Sequence, residues 1–216
     1  MTCSSRDRRL GQLLIGVAAV LLTVCGPDAE AQSSTPETYP VAPDPTECVV
    51  APVPVEEIAA LLGTPVAAPA ASPEPFVIPE GVPADTETAA EVIATLRQVF
   101  ACANAGDSLR FASLFTDDFT RGFFGGAPLD DLLAFLSAPA QPLPEDQKRV
   151  IIRFGEVQIL PDGRAGVVIV LDEPDDPRTE EPDYAILERV GDRWLIDEIH
   201  EDGGAAAAPT AGTPSA

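Results

Sequence analysis

AAEVIATLRQVFACANAGDSLRFASLFTDDF, residues 89–119, decides how this chain folds. Ala89, Val92, Ile93, Leu96, Val99, Phe100 and Ala103 recur at helical spacing and form one apolar stripe. Asn104-Ala105-Gly106 ends that helix, because glycine takes the left-handed conformation past a helix terminus without steric cost. Asp107 offers an N-cap to a second helix, from about Ser108 to Phe115. So short a turn makes two helices fold back on, or cross over, each other. Just upstream, Thr88-Ala89-Ala90-Glu91 has the form of a capping box.

Working outward, Leu129, Leu132, Leu133 and Leu136 predict a third helix between Pro128 and Pro139. Between helices two and three, Phe119 to Phe124 reads as a short strand before the Gly125-Gly126 turn. After Pro144 the period changes. Arg149–Leu160 and Arg164–Asp172 read as strands about an Asp162-Gly163 turn, and Tyr184–Val190 with Arg193–His200 as a hairpin about Gly191-Asp192. Helices first and a meander second predict an α+β domain over residues 85–202, an antiparallel sheet with helices on one face.

Residues 1–31 read as a signal peptide, with Arg6, Arg8 and Arg9, an apolar run from Leu13 to Val24, and a small-x-small site, Ala29-Glu30-Ala31, before Gln32. The run is short for a membrane span. A lipoprotein reading on Cys25 meets Val24 where a small residue is expected, and Asp7 and Gly11 fit twin-arginine export poorly. The expectation is therefore free secretion, with no membrane attachment after cleavage. Residues 32–84 are a lead rich in Pro, Ala, Thr and Glu, in which a packed core is not expected apart from a helical island at 55–62. Gly203–Ala216 has nothing to bury and reads as a disordered tail.

The formal charge is −22, from 35 acidic and 13 basic residues. Loss of three Arg and three acids with the signal segment leaves it unchanged. Such a chain repels nucleic acid and anionic membranes, and the charge otherwise serves solubility. Cys48 and Cys102 survive cleavage. An even pair outside the cell predicts one disulfide, the alternative being two separate thiols.

On these elements the domain resembles the nuclear-transport-factor-2-like superfamily, in particular its SnoaL-like and ketosteroid-isomerase-like bacterial branches. The resemblance lies in the long helix ending Asn104-Ala105-Gly106-Asp107, in Leu114-Phe115-Thr116-Asp117-Asp118-Phe119, and in the hairpin Gly191-Asp192-Arg193-Trp194-Leu195-Ile196. It implies a cone-shaped α+β barrel, three N-terminal helices packed on a curved antiparallel sheet of four to five strands, with a pocket at its open end. Members of that superfamily are enzymes, binding modules or dimerising scaffolds, so the fold alone selects none of these.

Isomerase chemistry of that kind needs a carboxylate base in an apolar pocket and a Tyr/acid pair for an oxyanion. Tyr39 and Tyr184 are the only tyrosines, and the set cannot be assembled around either. His200 is the only histidine. On a regular strand it shares a face with Trp194, Ile196 and Glu198, so Glu198 and His200 are the one candidate acid–base pair. A strand end in solvent is the plainer reading. The acidic stretch Asp172–Asp183 lacks the ligand order and glycine of a calcium loop and reads as a solvated hairpin tip. No GxSxG, zinc spacing, P-loop or dinucleotide fingerprint is present, so neither metal nor cofactor is expected.

The aromatics predict an apolar pocket instead, walled by Phe100, Phe115, Phe119, Phe123 and Trp194, with Arg121 and Arg153 placed to fix a polar group on a small hydrophobic ligand. Three readings follow: a secreted, non-catalytic ligand-binding or scaffolding domain; a SnoaL-like cyclase or isomerase using Glu198 and His200; and a self-associating module. The last rests on the sheet. Val150, Ile152 and Phe154 alternate with Ile151 and Arg153, and Val167–Leu171 is apolar on both faces, which suggests a partner, such as a second copy, on the outer face.

Overall fold

The long helix starts at Asp85 rather than Thr88. Asp85 Oδ1 accepts the Thr88 backbone N–H at 2.9 Å, and Thr88 lies inside the first turn. Glu91, the other half of the expected capping box, serves a tertiary contact instead: it accepts a hydrogen bond from Trp194 Nε1 at 3.1 Å. The computed structural model describes residues 39–63, 76–174 and 181–201, all within one compact unit. Its helices are α1 (Val55–Leu62), α2 (Thr86–Ala105), α3 (Ser108–Ala112), α4 (Asp117–Phe124) and α5 (Leu129–Leu136). Its strands are β1 (Val82–Pro83), β2 (Val150–Phe154), β3 (Gln158–Ile159), β4 (Ala165–Asp172), β5 (Pro182–Val190) and β6 (Arg193–His200). The class is α+β, helices packed against an antiparallel sheet.

Gly106 ends α2 at φ 62°. A side chain there would also run into the Gln141 carbonyl, 2.2 Å from an added Cβ, so the position needs glycine for both conformation and space. The second helix stops at Ala112, and Phe115 instead bridges to Ile196 of β6. The Phe119–Phe124 segment, expected as a strand, is helix α4. Thr116 caps it by accepting the Phe119 N–H, acids occupy its first turn, and Arg121 lies in its last. Those end signals outweigh the strand preference of the aromatics.

The sheet runs β1-β3-β4-β5-β6, with β2 pairing beside β3 along the same edge of β4. Among the described residues β1 and β6 do not pair, so the sheet is open. Two irregularities reset its faces. In β2, Ile151 pairs with Leu171 and Arg153 with Val170, which leaves Ile152 as the extra residue. In β6, Ile196 pairs with Leu187 but Glu198 with Ile186, so Asp197 is extra. Each bulge inverts the alternation beyond it. Ile151 and Phe154 therefore both face the helices, and Arg153 is exposed on the outer side.

The core between sheet and helices includes Val92, Leu96, Val99, Phe100, Leu136, Ile151, Val167, Leu187 and Ile196. On the outer side, Leu160, Tyr184 and Ile186 form a second cluster, against which Phe76 and Ile78 of the chain's own lead are packed.

That lead packs more than its prolines suggested. Val41 pairs with Ile151 and extends the sheet beyond β2, while β1 extends it beyond β3. Ile58 of α1 is buried in the core. A 3-10 turn at Pro45–Glu47, capped by Asp44, is gripped by α2: Arg97 pairs with Glu47 at 2.6 Å, and Gln98 donates to the Glu47 carbonyl at 2.6 Å. Cys48 and Cys102 are disulfide-bonded, with their Cα atoms 4.7 Å apart. Proline's missing donor is no obstacle when the remaining groups find partners one by one.

Asn104, read from sequence as a helix-stop residue, is fully buried and does more. Its Nδ2 donates to the carbonyls of Pro43 and Arg149, both at 3.1 Å, and its Oδ1 accepts from Arg149 N at 2.9 Å. One amide thus ties α2 to the lead and to the entry of β2. Asn104→Ala is expected to cost about 2 kcal/mol in chemical denaturation, because it orphans buried backbone groups; an unchanged midpoint would show that water replaces the amide. The signal segment, residues 175–180 of the acidic stretch and the tail from Gly203 lie outside the described residues.

Candidate ligand-binding site

Four phenylalanines recur every four residues, Phe111, Phe115, Phe119 and Phe123. Phe111 on α3, Phe115 in the link between the helices, and Phe119 and Phe123 on α4 stack into a ladder with successive ring centroids 4.6, 4.8 and 5.7 Å apart. This ladder, with Phe100 and Val99 of α2, forms one wall of a cleft of about 610 Å³. The opposite wall is the helix-facing side of the sheet: Ile169 and Leu171 of β4, and Ile196 and Ile199 of β6. Of the residues expected to line an apolar pocket, Phe100, Phe115, Phe119 and Phe123 do so.

The other three lie elsewhere. Trp194 is buried between the sheet and α2, its indole N–H on Glu91 and the Arg189 guanidinium 5.6 Å from its ring centre. Arg121 is ion-paired with Asp118 at 2.7 Å on α4. Arg153 is exposed on the outer face, because the Ile152 bulge turns it there. The arginine that does border the cleft is Arg149, whose Nε donates to Glu173 at 2.7 Å.

Glu198 and His200 border the cleft through β6, and their side chains meet, His200 Nε2 lying 2.7 Å from Glu198 Oε2. They do not share a face with Trp194 and Ile196. The Asp197 bulge sets Glu198 opposite Ile186 and His200 opposite Tyr184, on the outer side. There the imidazole stacks on Phe76, ring centres 3.4 Å apart. Arg164 hydrogen-bonds both Glu198 and Asp197 and pairs with Asp162 at 2.8 Å. Asp197 in turn accepts from the Thr116 hydroxyl at 2.9 Å, which locks the bulge to the start of α4.

Burial pushes the Glu198 carboxyl up, but the hydrogen bonds from Arg164 and His200 outweigh it and hold the group below its ordinary range. A general base poised near neutrality needs the reverse. Tyr184 is no better placed for oxyanion chemistry. Its hydroxyl is buried beside Gly166 on the outer face, without a hydrogen-bond partner among the described residues, and burial raises its pKa.

Among the described residues no group of three His, Cys, Asp or Glu side chains is gathered to hold a metal ion. No described helix is long and apolar enough to cross a membrane. Compared with family models, with curated proteins and with solved structures, the chain matches none.

Sequence reasoning missed Phe111, Ile169, Leu171 and Ile199 as cleft residues. The phenylalanine spacing was a usable signal for Phe111, obscured by reading the segment after Phe119 as extended. The strand residues carried no such signal, since the bulge decides which of them face inward.

Proposed function

We propose that this chain is an exported ligand-binding domain that holds a small hydrophobic molecule without turning it over. The observation that carries this reading is the phenylalanine-walled cleft between α2–α4 and the sheet, whose only candidate acid–base pair has its side chains on the opposite face. The walls of the cleft are apolar while ionisable groups, Arg149, Glu173, Asp183 and Glu201 among them, border it, an arrangement that suits binding a small hydrophobic body; a cyclase-like site needs its acid–base pair presented to the substrate. Helices followed by an antiparallel meander support a place beside the nuclear-transport-factor-2-like fold, with the open sheet as one wall of its cone. Export fits the basic and apolar N-terminal residues and a disulfide formed outside the reducing cytosol.

The test is a neutral solvatochromic dye such as Nile red. It is expected to bind and brighten, and Phe119→Ala with Phe123→Ala to weaken it about tenfold, the scale of losing aromatic contact area. His200→Ala and Glu198→Gln are expected to leave the dye affinity within about twofold. Conversion of an enone or polyketide-like substrate that either of these last variants abolishes, without unfolding, would replace this reading with the cyclase-like one.

A further inference from the structure

The aromatic wall does not stop at the edge of the cleft. Phe123, the last rung of the ladder, meets Phe124 edge-on, ring centroids 4.9 Å apart. Phe124 lines a second groove, of about 530 Å³, between the end of α2 and the segment that follows α5. Phe135, Pro139 and Leu143 wall it further. Four residues border both cavities: Ala103 of α2, Phe111 of α3, Phe123 of α4, and Arg149 at the entry to β2. Ala103 has no side chain beyond a methyl group to divide them. The Arg149 guanidinium is engaged with Glu173, so this residue offers the junction its methylenes. Phe123 and Phe135 are 57% and 62% exposed, an apolar surface beside a cleft of the kind that marks a binding face.

We infer that the two cavities form one site for a single extended hydrophobic chain, a long-chain alkyl or acyl molecule with an uncharged head; this rests on the ligand-binding reading above. A compact body fills the first cleft and leaves Phe135 and Leu143 to water. A chain that crosses between Ala103 and Phe123 reaches both walls, and every methylene it takes out of water adds to affinity. The charges around the two cavities favour an uncharged head because they already have partners: Arg149 with Glu173, Asp118 with Arg121, Asp107 with Arg110, and Asp197 and Glu198 with Arg164. A charged head would have to displace one of these partners, and the chain's formal charge of −22 works against a carboxylate.

The experiment is displacement of Nile red from the full mature protein by monomeric 1-alkanols, from hexanol through octanol to dodecanol. Affinity is expected to rise about threefold per added methylene along the whole series. Phe135→Ala, a change at an exposed side chain outside the first cleft, is expected to weaken dodecanol about fivefold and to leave hexanol and the dye within about twofold. Ala103→Leu, which narrows the junction, is expected to act in the same chain-length-dependent way; if it fails to fold, Phe135→Ala decides alone. Affinity that levels off at octanol overturns this inference and leaves the apolar cleft standing. So does a Phe135→Ala effect that is the same for hexanol and dodecanol, no effect included. Binding to phosphatidylcholine vesicles without displacement by monomeric dodecanol would make the exposed phenylalanines a membrane contact and also overturns it. No binding of the alkanols, with no binding of the neutral dye, overturns both readings.

Discussion

Removing the bond between Cys48 and Cys102 is expected to destabilise the domain by about 4 kcal/mol and to lower its melting temperature by about 10 °C. The bond closes a loop spanning 54 residues, and in the chain-entropy model a loop of that length restricts the unfolded ensemble by about this amount. The bridge is not the only tie. Arg97–Glu47, Gln98 on the Glu47 carbonyl, Asn104 on Pro43 and the Val41–Ile151 pairing hold the same stretch by other means. The Cys48→Ser and Cys102→Ser double variant should therefore fold in native buffer and lose stability chiefly in denaturant. Cys102 is wholly buried and Cys48 nearly so, so mild reductant should leave the native bond intact and cleave it only as the domain opens. Urea titrations of native and double-variant protein measure the difference. A loss below about 1 kcal/mol would mean that the non-covalent ties already order the lead in the unfolded ensemble.

The elements legible in the sequence are those whose signals are local. Helical spacing in α2, the Gly106 stop, the Leu129–Leu136 repeat and the Gly191-Asp192 turn each state their structure within a few residues. What was not legible depends on register. Nothing local marks Ile152 or Asp197 as an extra residue, yet these two bulges decide that Arg153 points away from the cleft and that Glu198 and His200 turn from Trp194. Asp197 takes its place because Thr116 and Arg164, 81 and 33 residues away, both bond it. The apolar outer face was legible as a surface needing cover. Its cover at Tyr184 and Ile186 includes Phe76 and Ile78 of the lead, where composition pointed away from packing. A proline-rich stretch does not advertise the aromatics that dock, here Tyr39 against Phe154 and Phe76 against Tyr184.

Trp194→Ala is expected to cost about 3–5 kcal/mol, the range for emptying a buried aromatic site, and to leave the cleft able to bind wherever the protein remains folded. Trp194 is 5% exposed, with its ring in the main core and its N–H on Glu91 of α2. Arg189 lies over the ring and reaches the same Glu91 carboxylate at 3.3 Å. Removing the side chain empties a large volume where β6 meets α2 and leaves Glu91 and Arg189 without the indole between them. Trp194→Phe separates these effects: it keeps most of the ring volume, loses the Glu91 hydrogen bond, and should cost about 1 kcal/mol. Because Trp194 is the only tryptophan, unfolding of both variants is best followed by circular dichroism, with ligand affinity measured by calorimetry below the unfolding transition. Two results would count against this account. A Trp194→Ala protein as stable as the native chain would mean that the indole is not a core element. A stable, folded variant that no longer binds would bring Trp194 back to the cleft wall and require β6 to sit in a different register from Arg193 to Ile196.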